Sequence, residues 1–190
     1  MNKAIENIKN RRSIRGFDPS RQVSDENLRE ILDCAMYAPL AMNKVLWHFS
    51  AVQNSEIING VAEKTIGVMK INPNEHTKMR LAMPNFSPFY GAPTVIFVFA
   101  EKGNPFAQSN CGAAMQNMLL AAESLGLNTC WIGMANRYLT LDEAQPLLKK
   151  IGMPDGYEIV GCVALGYALN AAKMPNKHFD ERDNIVSIIK

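Results

Sequence analysis

The sequence predicts an α+β fold in which helices cover a mixed sheet, and three observations support that prediction. Short runs of β-branched and aromatic residues read as strands, the clearest being Thr94–Ala100. Longer segments between them carry apolar residues at the spacing of three and four that marks one buried helical face. The length of 190 residues and the apolar share of 47% suffice for one core of ordinary size. We therefore expect residues 1–190 to form a single domain.

The composition excludes several classes of protein. Lys and Arg number 20 against 18 for Asp and Glu, and a net charge of +2 argues against a nucleic-acid or membrane-surface binder. No apolar run approaches the roughly 20 residues of a membrane helix, and Met1–Glu6 lacks the apolar core of a signal peptide. Four cysteines without a C-x-x-C pair indicate buried thiols in a reducing compartment. These features predict a cytoplasmic protein.

The first half of the chain predicts helices around a single strand. A short helix is expected over residues 2–12, and a second begins after the N-cap residue Ser24 and ends before Pro39. The apolar residues of this second helix fall on one face: Leu28, Ile31, Leu32, Ala35 and Met36. Trp47–Val52 is predicted as a strand and Ser55–Met69 as an amphipathic helix.

Residues 70–90 are predicted as an irregular excursion because three prolines interrupt them, with a short helix at His76–Leu81. Thr94–Ala100 then reads as a strand buried on both faces. Gly112–Leu125 is apolar nearly all round, which predicts a central buried helix that stops at Gly126.

The last third predicts two strands around one helix. The strands are Thr129–Gly133 and Tyr157–Tyr167, and in the second Gly161 and Gly166 indicate close backbone approach. Between them, Thr140 and Glu143 fit a capping box for a helix to Ile151, with a kink or a later start because of Pro146. After the polar stretch 170–184, the apolar residues Ile185–Ile189 are expected to pair with a partner subunit's sheet.

The strongest candidate for chemistry lies near the start of the chain. Between Ile8 and Phe17 stand one lysine and three arginines without an acid, and a serine lies in their middle: Lys9, Arg11, Arg12, Arg15 and Ser13. Arginine side chains match phosphate oxygens in pairs, and a hydroxyl can complete such a cradle. The alternative is a solvated basic turn at a helix C-terminus, where positive charge is favoured.

Two further segments are candidates of lower specificity. Residues 38–43 form a small-residue loop in which Asn43 offers an amide for a polar ring edge, although such an asparagine often only forms a turn. Residues 129–134 place a glycine turn at a strand end, where backbone N–H groups are exposed, and Trp131 there also fits a core position. No dinucleotide-binding glycine motif, metal-ligand pair of histidines or nucleophile elbow is present in the sequence.

Taken together, these segments resemble the nitroreductase family of FMN-dependent oxidoreductases. Residues 11–17 (RRSIRGF) are similar to its R-R-S-x-R-x-F opening, and residues 38–49 to its A-P-S-x-x-N-x-Q-P-W-x-F segment. Residues 91–93 (GAP), 111–117 (CGAAMQN), 130–133 (CWIG) and 164–167 (ALGY) follow in the order of the family. The sequence departs from the pattern at four positions, which carry Leu40, Val45, Leu46 and Ala168.

The resemblance implies a mainly antiparallel sheet, bound FMN, a homodimer with FMN at the subunit interface, and a C-terminal tail exchanged between subunits. It implies that the cofactor is held by Arg11, Arg12, Ser13 and Arg15, by backbone groups of Ile132 and Gly133, by Lys177, and by the other subunit's Pro39, Leu40, Met42 and Asn43. NAD(P)H would donate a hydride in a ping-pong reaction, and nitroaromatics, quinones or similar small molecules would accept the electrons, with no side chain acting as acid or base. The alternative is a protein that stores or senses FMN without turnover.

Overall fold

The strands of the sheet are β1 (Trp47–Val52), β2 (Thr94–Glu101), β3 (Asn128–Ile132) and β4 (Tyr157–Gly166). They are seen in a computed structural model that describes residues 2–169 and 187–189. All neighbouring strands run antiparallel in the order β1-β2-β4-β3, so the expected mainly antiparallel character is confirmed. The prediction of a mixed sheet is wrong for the described residues, because none of these strand pairs is parallel. The parallel element in the described residues is an isolated bridge between Ser13 and Thr129.

The helices cover both faces of this sheet. They are α1 (Lys3–Asn10), α2 (Asp25–Met36), α3 (Ser55–Met69), α4 (Glu75–Leu81), α5 (Ala107–Ser124), α6 (Asn136–Leu139) and α7 (Gln145–Ile151). The Ser24 hydroxyl accepts the Asn27 N–H at 3.3 Å, so the predicted cap of α2 is confirmed. Short 3-10 turns lie at Ala41–Asn43 and Asp142–Ala144.

The sheet separates two apolar cores. One core lies with α3, α6 and α7 and contains Phe97 and Phe99, and the other lies with α2 and α5 and contains Ile96 and Val98. Strand β2 is buried on both faces apart from its last residue, as its continuous apolar run predicts. Within one chain, the sheet therefore keeps site residues of one core apart from those of the other.

Two glycines of β4 permit the close packing that the sequence indicates. A Cβ at Gly161 would lie 3.3 Å from the Met115 side chain, and one at Gly166 would lie 2.8 Å from Pro93. The Gly166 position also approaches the Phe17 ring, at 3.3 Å. The end of β4 therefore accepts the segment that carries the candidate arginines only because a side chain is missing there.

Several predicted details are wrong. Thr140 ends α6, with its hydroxyl donating to the Asn136 carbonyl at 2.7 Å, so it forms no capping box. The later helix start expected from Pro146 is, by contrast, confirmed, because α7 begins at Gln145 and Pro146 lies in its first turn. Helix α5 begins at Ala107, five residues before the predicted start. Met36 is 51% exposed instead of buried on the apolar face of α2.

The predicted C-terminal stub falls mainly outside the described residues. Of it, residues 187–189 are described, and they are exposed and without assigned strand structure. Among the described residues no helix combines the length and apolar character that crossing a membrane requires.

Candidate functional site

Residues 11–17, here called the anion segment, follow directly after α1 and are tied to the ends of β3 and β4. The Ile14 N–H donates to the Thr129 carbonyl at 2.9 Å, and the Phe17 N–H donates to the Tyr90 carbonyl at 3.0 Å. Ile14 and Phe17 are buried in the core beside α3, so they anchor the segment. The exposed Arg15 lies between these two anchors, and its backbone position is therefore fixed from both sides.

Three arginines contribute positive charge at Cys130, in the middle of β3. Burial raises the pKa of the Cys130 thiol, and the positive charges of Arg15, Arg80 and Arg11 lower it by smaller amounts. Ser13 pairs with Thr129 of β3, so the backbone of the anion segment brings Arg11 and Arg15 to this strand. This concentration of cations fits an anion such as a phosphate group.

Arg12 is placed differently from its neighbours. Its guanidinium donates to the backbone carbonyls of Asn10 at 2.9 Å and of Arg11 at 3.0 Å, and it also reaches the Lys9 carbonyl. These contacts place positive charge on the unpaired carbonyls at the C-terminus of α1. Arg12 thus fixes the direction in which the anion segment leaves the helix.

The far end of β3 provides the second part of the site. Ile132 is buried, whereas Gly133 is exposed, and a Cβ at Gly133 would meet no atom within 4 Å. Ser13 lies beside Thr129, four residues earlier, and a strand rise of about 3.3 Å per residue separates the two ends by roughly 13 Å. An elongated ligand with its charged group at the arginines could therefore lie along this edge.

Residues 39–46, here called the apolar loop, connect α2 to β1. Met42 and Asn43 have φ angles of 57° and 51°, and the Ala41 N–H donates to the Asn110 Oδ1 atom at 3.2 Å. Leu40 packs against the core beside α2 and α5, while Met42 and Val45 are 72% and 58% exposed. Pro39 and Asn43 are also exposed. The loop is therefore tethered to the fold by a few contacts and presents apolar groups outward.

The structure brings together some of the predicted site residues and separates others. Arg11, Ser13 and Arg15 lie at β3, the strand that leads to Ile132 and Gly133. The apolar loop packs on the opposite core of the sheet, and Lys177 lies outside the described residues.

Sequence reasoning did not select Arg80 of α4. The nearest signal was the predicted short helix His76–Leu81, which would have placed several charged side chains on one turn. The position of Arg80 depends on the fold of residues 82–90, whose sequence shows no apolar periodicity.

This protein is similar to known proteins over nearly the whole chain. The model of the family described as "Nitroreductase family" matches residues 8–167. A protein of Archaeoglobus fulgidus named "Putative NADH dehydrogenase/NAD(P)H nitroreductase" is 33% identical over 88% of this chain and 86% of its own length.

Solved structures show the same relationship in three dimensions. A nitroreductase with bound FMN from Bacteroides fragilis has a TM-score of 0.89 at 32% identity, with 100% of both chains covered. A nitroreductase with bound FMN from Desulfitobacterium hafniense also has a TM-score of 0.89, at 29% identity and with 100% of both chains covered. From the match of family model, sequence and fold, the chain belongs to the nitroreductase family.

Proposed function

We propose that this protein is an FMN-dependent oxidoreductase that takes electrons from NAD(P)H and passes them to a small acceptor such as a nitroaromatic or a quinone. The observation that carries the proposal is the anion segment, whose backbone is bonded to β3 at Thr129 and carries Arg11, Ser13 and Arg15, at the strand whose other end opens at Gly133. The similar chains from Bacteroides fragilis and Desulfitobacterium hafniense hold FMN. Residues 1–190 would act as one domain.

The residues present fit FMN in their chemistry. A phosphate needs fixed cations and hydrogen-bond donors, which the anion segment supplies through Arg11, Ser13 and Arg15. A flat ring system needs close approach to backbone groups, which the absent side chain of Gly133 permits. The remaining contact in this proposal is Lys177, whose ammonium would add a further positive charge to the phosphate.

Within that arrangement each residue has a limited task. Arg11, Ser13 and Arg15 bind and orient, while Arg12 contributes through its backbone because its guanidinium holds the α1 carbonyls. Ile132 and Gly133 offer backbone groups to the ring. FMN held by these residues would supply the redox chemistry, a two-electron transfer from NAD(P)H to the second substrate. Orientation of the reactants therefore provides the rate, and no side chain is assigned as acid or base.

The second half of the site would come from another copy of this chain. The apolar loop lies on the core opposite to the anion segment, so Pro39, Leu40, Met42 and Asn43 would reach the cofactor of a partner rather than their own. Met36, Tyr37, Met42 and Val45 are all more than half exposed, and exposed large apolar side chains are typical of an interface. A homodimer whose interface contains the apolar loop satisfies both observations, and in this proposal its C-terminal tails are exchanged between the subunits.

The test is to measure flavin binding and turnover separately. The purified protein should show flavin absorption bands, and the double variant Arg11→Ala/Arg15→Ala should be colourless because it lacks two phosphate-binding cations. Lys64→Ala/Lys70→Ala is the matched control, since it removes the same charge from exposed positions at α3 and its C-terminal cap. Colour retained in the arginine variant would show that the cofactor lies elsewhere.

Turnover decides between the oxidoreductase and a protein that only stores or senses FMN. Fully loaded protein should oxidise NAD(P)H when a nitroaromatic or quinone acceptor is added. Loaded protein that fails to do so with either donor would contradict the proposed activity and favour the storage function.

A further inference from the structure

Helix α4 and the turn that follows it hold one arginine between two ring side chains. The Arg80 Nε–H donates to the His76 Nε2 atom at 2.8 Å, and an Arg80 Nη1–H donates to the Tyr90 hydroxyl oxygen at 2.6 Å. Two hydrogen bonds from different atoms of one guanidinium fix both its position and its plane. Arg80 is half-buried, so this restraint acts on a group that still reaches solvent.

Tyr90 connects this group directly to the anion segment. Its carbonyl accepts the Phe17 N–H at 3.0 Å, its own N–H donates to the Ser87 carbonyl at 3.0 Å, and its ring packs edge-on against Phe86. Tyr90 also has a φ of 55°, a left-handed conformation that is unfavourable for a bulky residue and persists only when its surroundings hold it. Arg80 is therefore held by the side chain of a residue whose backbone is bonded directly to the anion segment.

We propose that Arg80 is a third cofactor-binding cation and that His76 and Tyr90 are the positioning residues that aim it. This inference rests on the proposed function, because FMN supplies the negative charge that Arg80 meets. The side chains of His76 and Tyr90 touch Arg80 rather than the cofactor. They restrict the conformations of the long Arg80 side chain before the anion binds, so that less conformational entropy is lost on binding.

Because Arg80 donates a hydrogen bond to the His76 ring, the position of Arg80 depends on whether His76 is protonated. The Nε2 atom accepts a hydrogen bond only in the neutral imidazole, and in the protonated form both ring nitrogens carry protons. A protonated His76 would also repel the adjacent guanidinium. Histidine side chains commonly change charge between about pH 5 and 8. Acidification should therefore release Arg80 and weaken FMN binding.

The other charged groups around His76 and Arg80 limit the alternatives. They are Glu75 and Lys78 of α4 and Tyr90 of the following turn. Glu75 and Lys78 are exposed and form an ion pair of 2.7 Å with each other. Arg80 itself is therefore the cation that a protonated His76 would meet.

The experiment is a series of FMN dissociation constants, obtained from flavin fluorescence quenching between about pH 5 and 8. Arg80→Ala should weaken FMN binding about tenfold to a hundredfold at neutral pH, and Tyr90→Phe should weaken it less. His76→Gln keeps an acceptor for Arg80 and has no titratable ring. It should bind FMN as the wild type does at high pH and lose less affinity on acidification.

Two controls separate this effect from others. The phosphate takes up a proton near pH 6 in every variant, so only the difference between His76→Gln and wild type reports on His76. His48→Gln is the matched control, because His48 is also exposed but lies on β1, stacked on Phe99. Riboflavin lacks the phosphate, so a loss confined to FMN would place Arg80 at the phosphate, and a loss shared with riboflavin would place it at the ring.

The outcomes also separate this inference from the function it rests on. Wild-type protein that binds no FMN at any pH would overturn both. FMN binding that is unchanged in Arg80→Ala, or equal pH profiles for wild type and His76→Gln, would leave the oxidoreductase intact and overturn the positioning role. Unfolding temperatures of the FMN-free variants, if equal to that of the wild type, would show that the losses arise in binding.

Discussion

The anion segment and the apolar loop both connect a helix to the sheet, yet the fold holds them in different ways. The anion segment is anchored by buried Ile14 and Phe17 and by backbone hydrogen bonds to β3 and to Tyr90. The apolar loop is tethered by Leu40 and by the bond from Ala41 to Asn110, while Met42 and Val45 project outward. The anion segment is thus held in place by its own chain, whereas the apolar loop exposes apolar groups that are ordinarily buried.

This difference indicates how the site would be divided between two chains. Cations that must meet a dianionic phosphate benefit from a fixed position before the ligand arrives, because ordering them afterwards would reduce affinity. An apolar surface gains stability only when a second surface covers it. In the proposed dimer, each chain would therefore provide a rigid charged half and an apolar half that becomes ordered upon association.

The largest expected effect comes from removing an anchor of the anion segment. Phe17 is 2% exposed and packs in the core beside α3, so Phe17→Ala should lower the free energy of unfolding by about 3–5 kcal/mol. Met42 is 72% exposed, and Met42→Ala should change the stability of the monomer by less than about 0.5 kcal/mol. Denaturant unfolding at low protein concentration measures both values.

The same two variants should differ in FMN binding. Phe17→Ala should weaken it strongly because Arg15 loses one of its two flanking anchors. If Phe17→Ala destabilised the fold by no more than Met42→Ala, the two regions would be equally loosely held, and the contrast between them would be wrong.

Most regular elements of this fold could be predicted from local patterns. The bounds of β1 and α3 agree with the predictions, because an alternating or helical apolar pattern and a good N-cap define them without help from distant residues. The errors occur where tertiary contacts decide. Helix α6 is short and follows a turn, and Thr140 serves its C-terminus although the local spacing equally suits a cap for the next helix.

The candidate site was predictable to a similar extent and for similar reasons. The anion segment is contiguous, so the concentration of its arginines is visible in the sequence. Arg80 lies 65 residues after Arg15, and only the irregular backbone around Tyr90 places the two near Cys130. Neither the left-handed conformation of Tyr90 nor its contact with the anion segment produces a periodic pattern in the sequence. Sequence reasoning therefore could not select Arg80.

A charge in the apolar loop should have a smaller effect, confined to association. Val45 is 58% exposed, so Val45→Glu should leave the monomer fold unchanged but weaken the proposed dimer at least about tenfold, since the carboxylate would be desolvated there. Sedimentation equilibrium measures the association constant. Ile71→Glu is the matched control because Ile71 is 69% exposed at the turn after α3, away from the apolar loop. Equal effects of both variants would contradict the assignment of the interface.

The smallest expected effect concerns the residue that follows the anion segment. The Ser20 hydroxyl and N–H donate to one Asp18 carboxylate oxygen at 2.6 and 3.0 Å, and these bonds hold the pKa of Asp18 below its ordinary value. The folded state thus keeps this carboxylate ionised at a pH where the unfolded chain binds a proton. The resulting stabilisation is present above the unfolded pKa and is lost as the pH falls through the folded one.

Ser20→Ala removes the stronger of these donors and should move the pKa of Asp18 upward, towards its ordinary value. This change narrows the pH range in which the ionised carboxylate stabilises the folded state. Carboxyl carbon chemical shifts followed by NMR during an acid titration measure the pKa directly, and the remaining carboxyl groups serve as internal controls. Because Asp18 is fully exposed, water already solvates its charge, and the turn rather than the core provides the shift. An unchanged pKa in Ser20→Ala would mean that the Ser20 hydroxyl contributes nothing to the lowered pKa of Asp18.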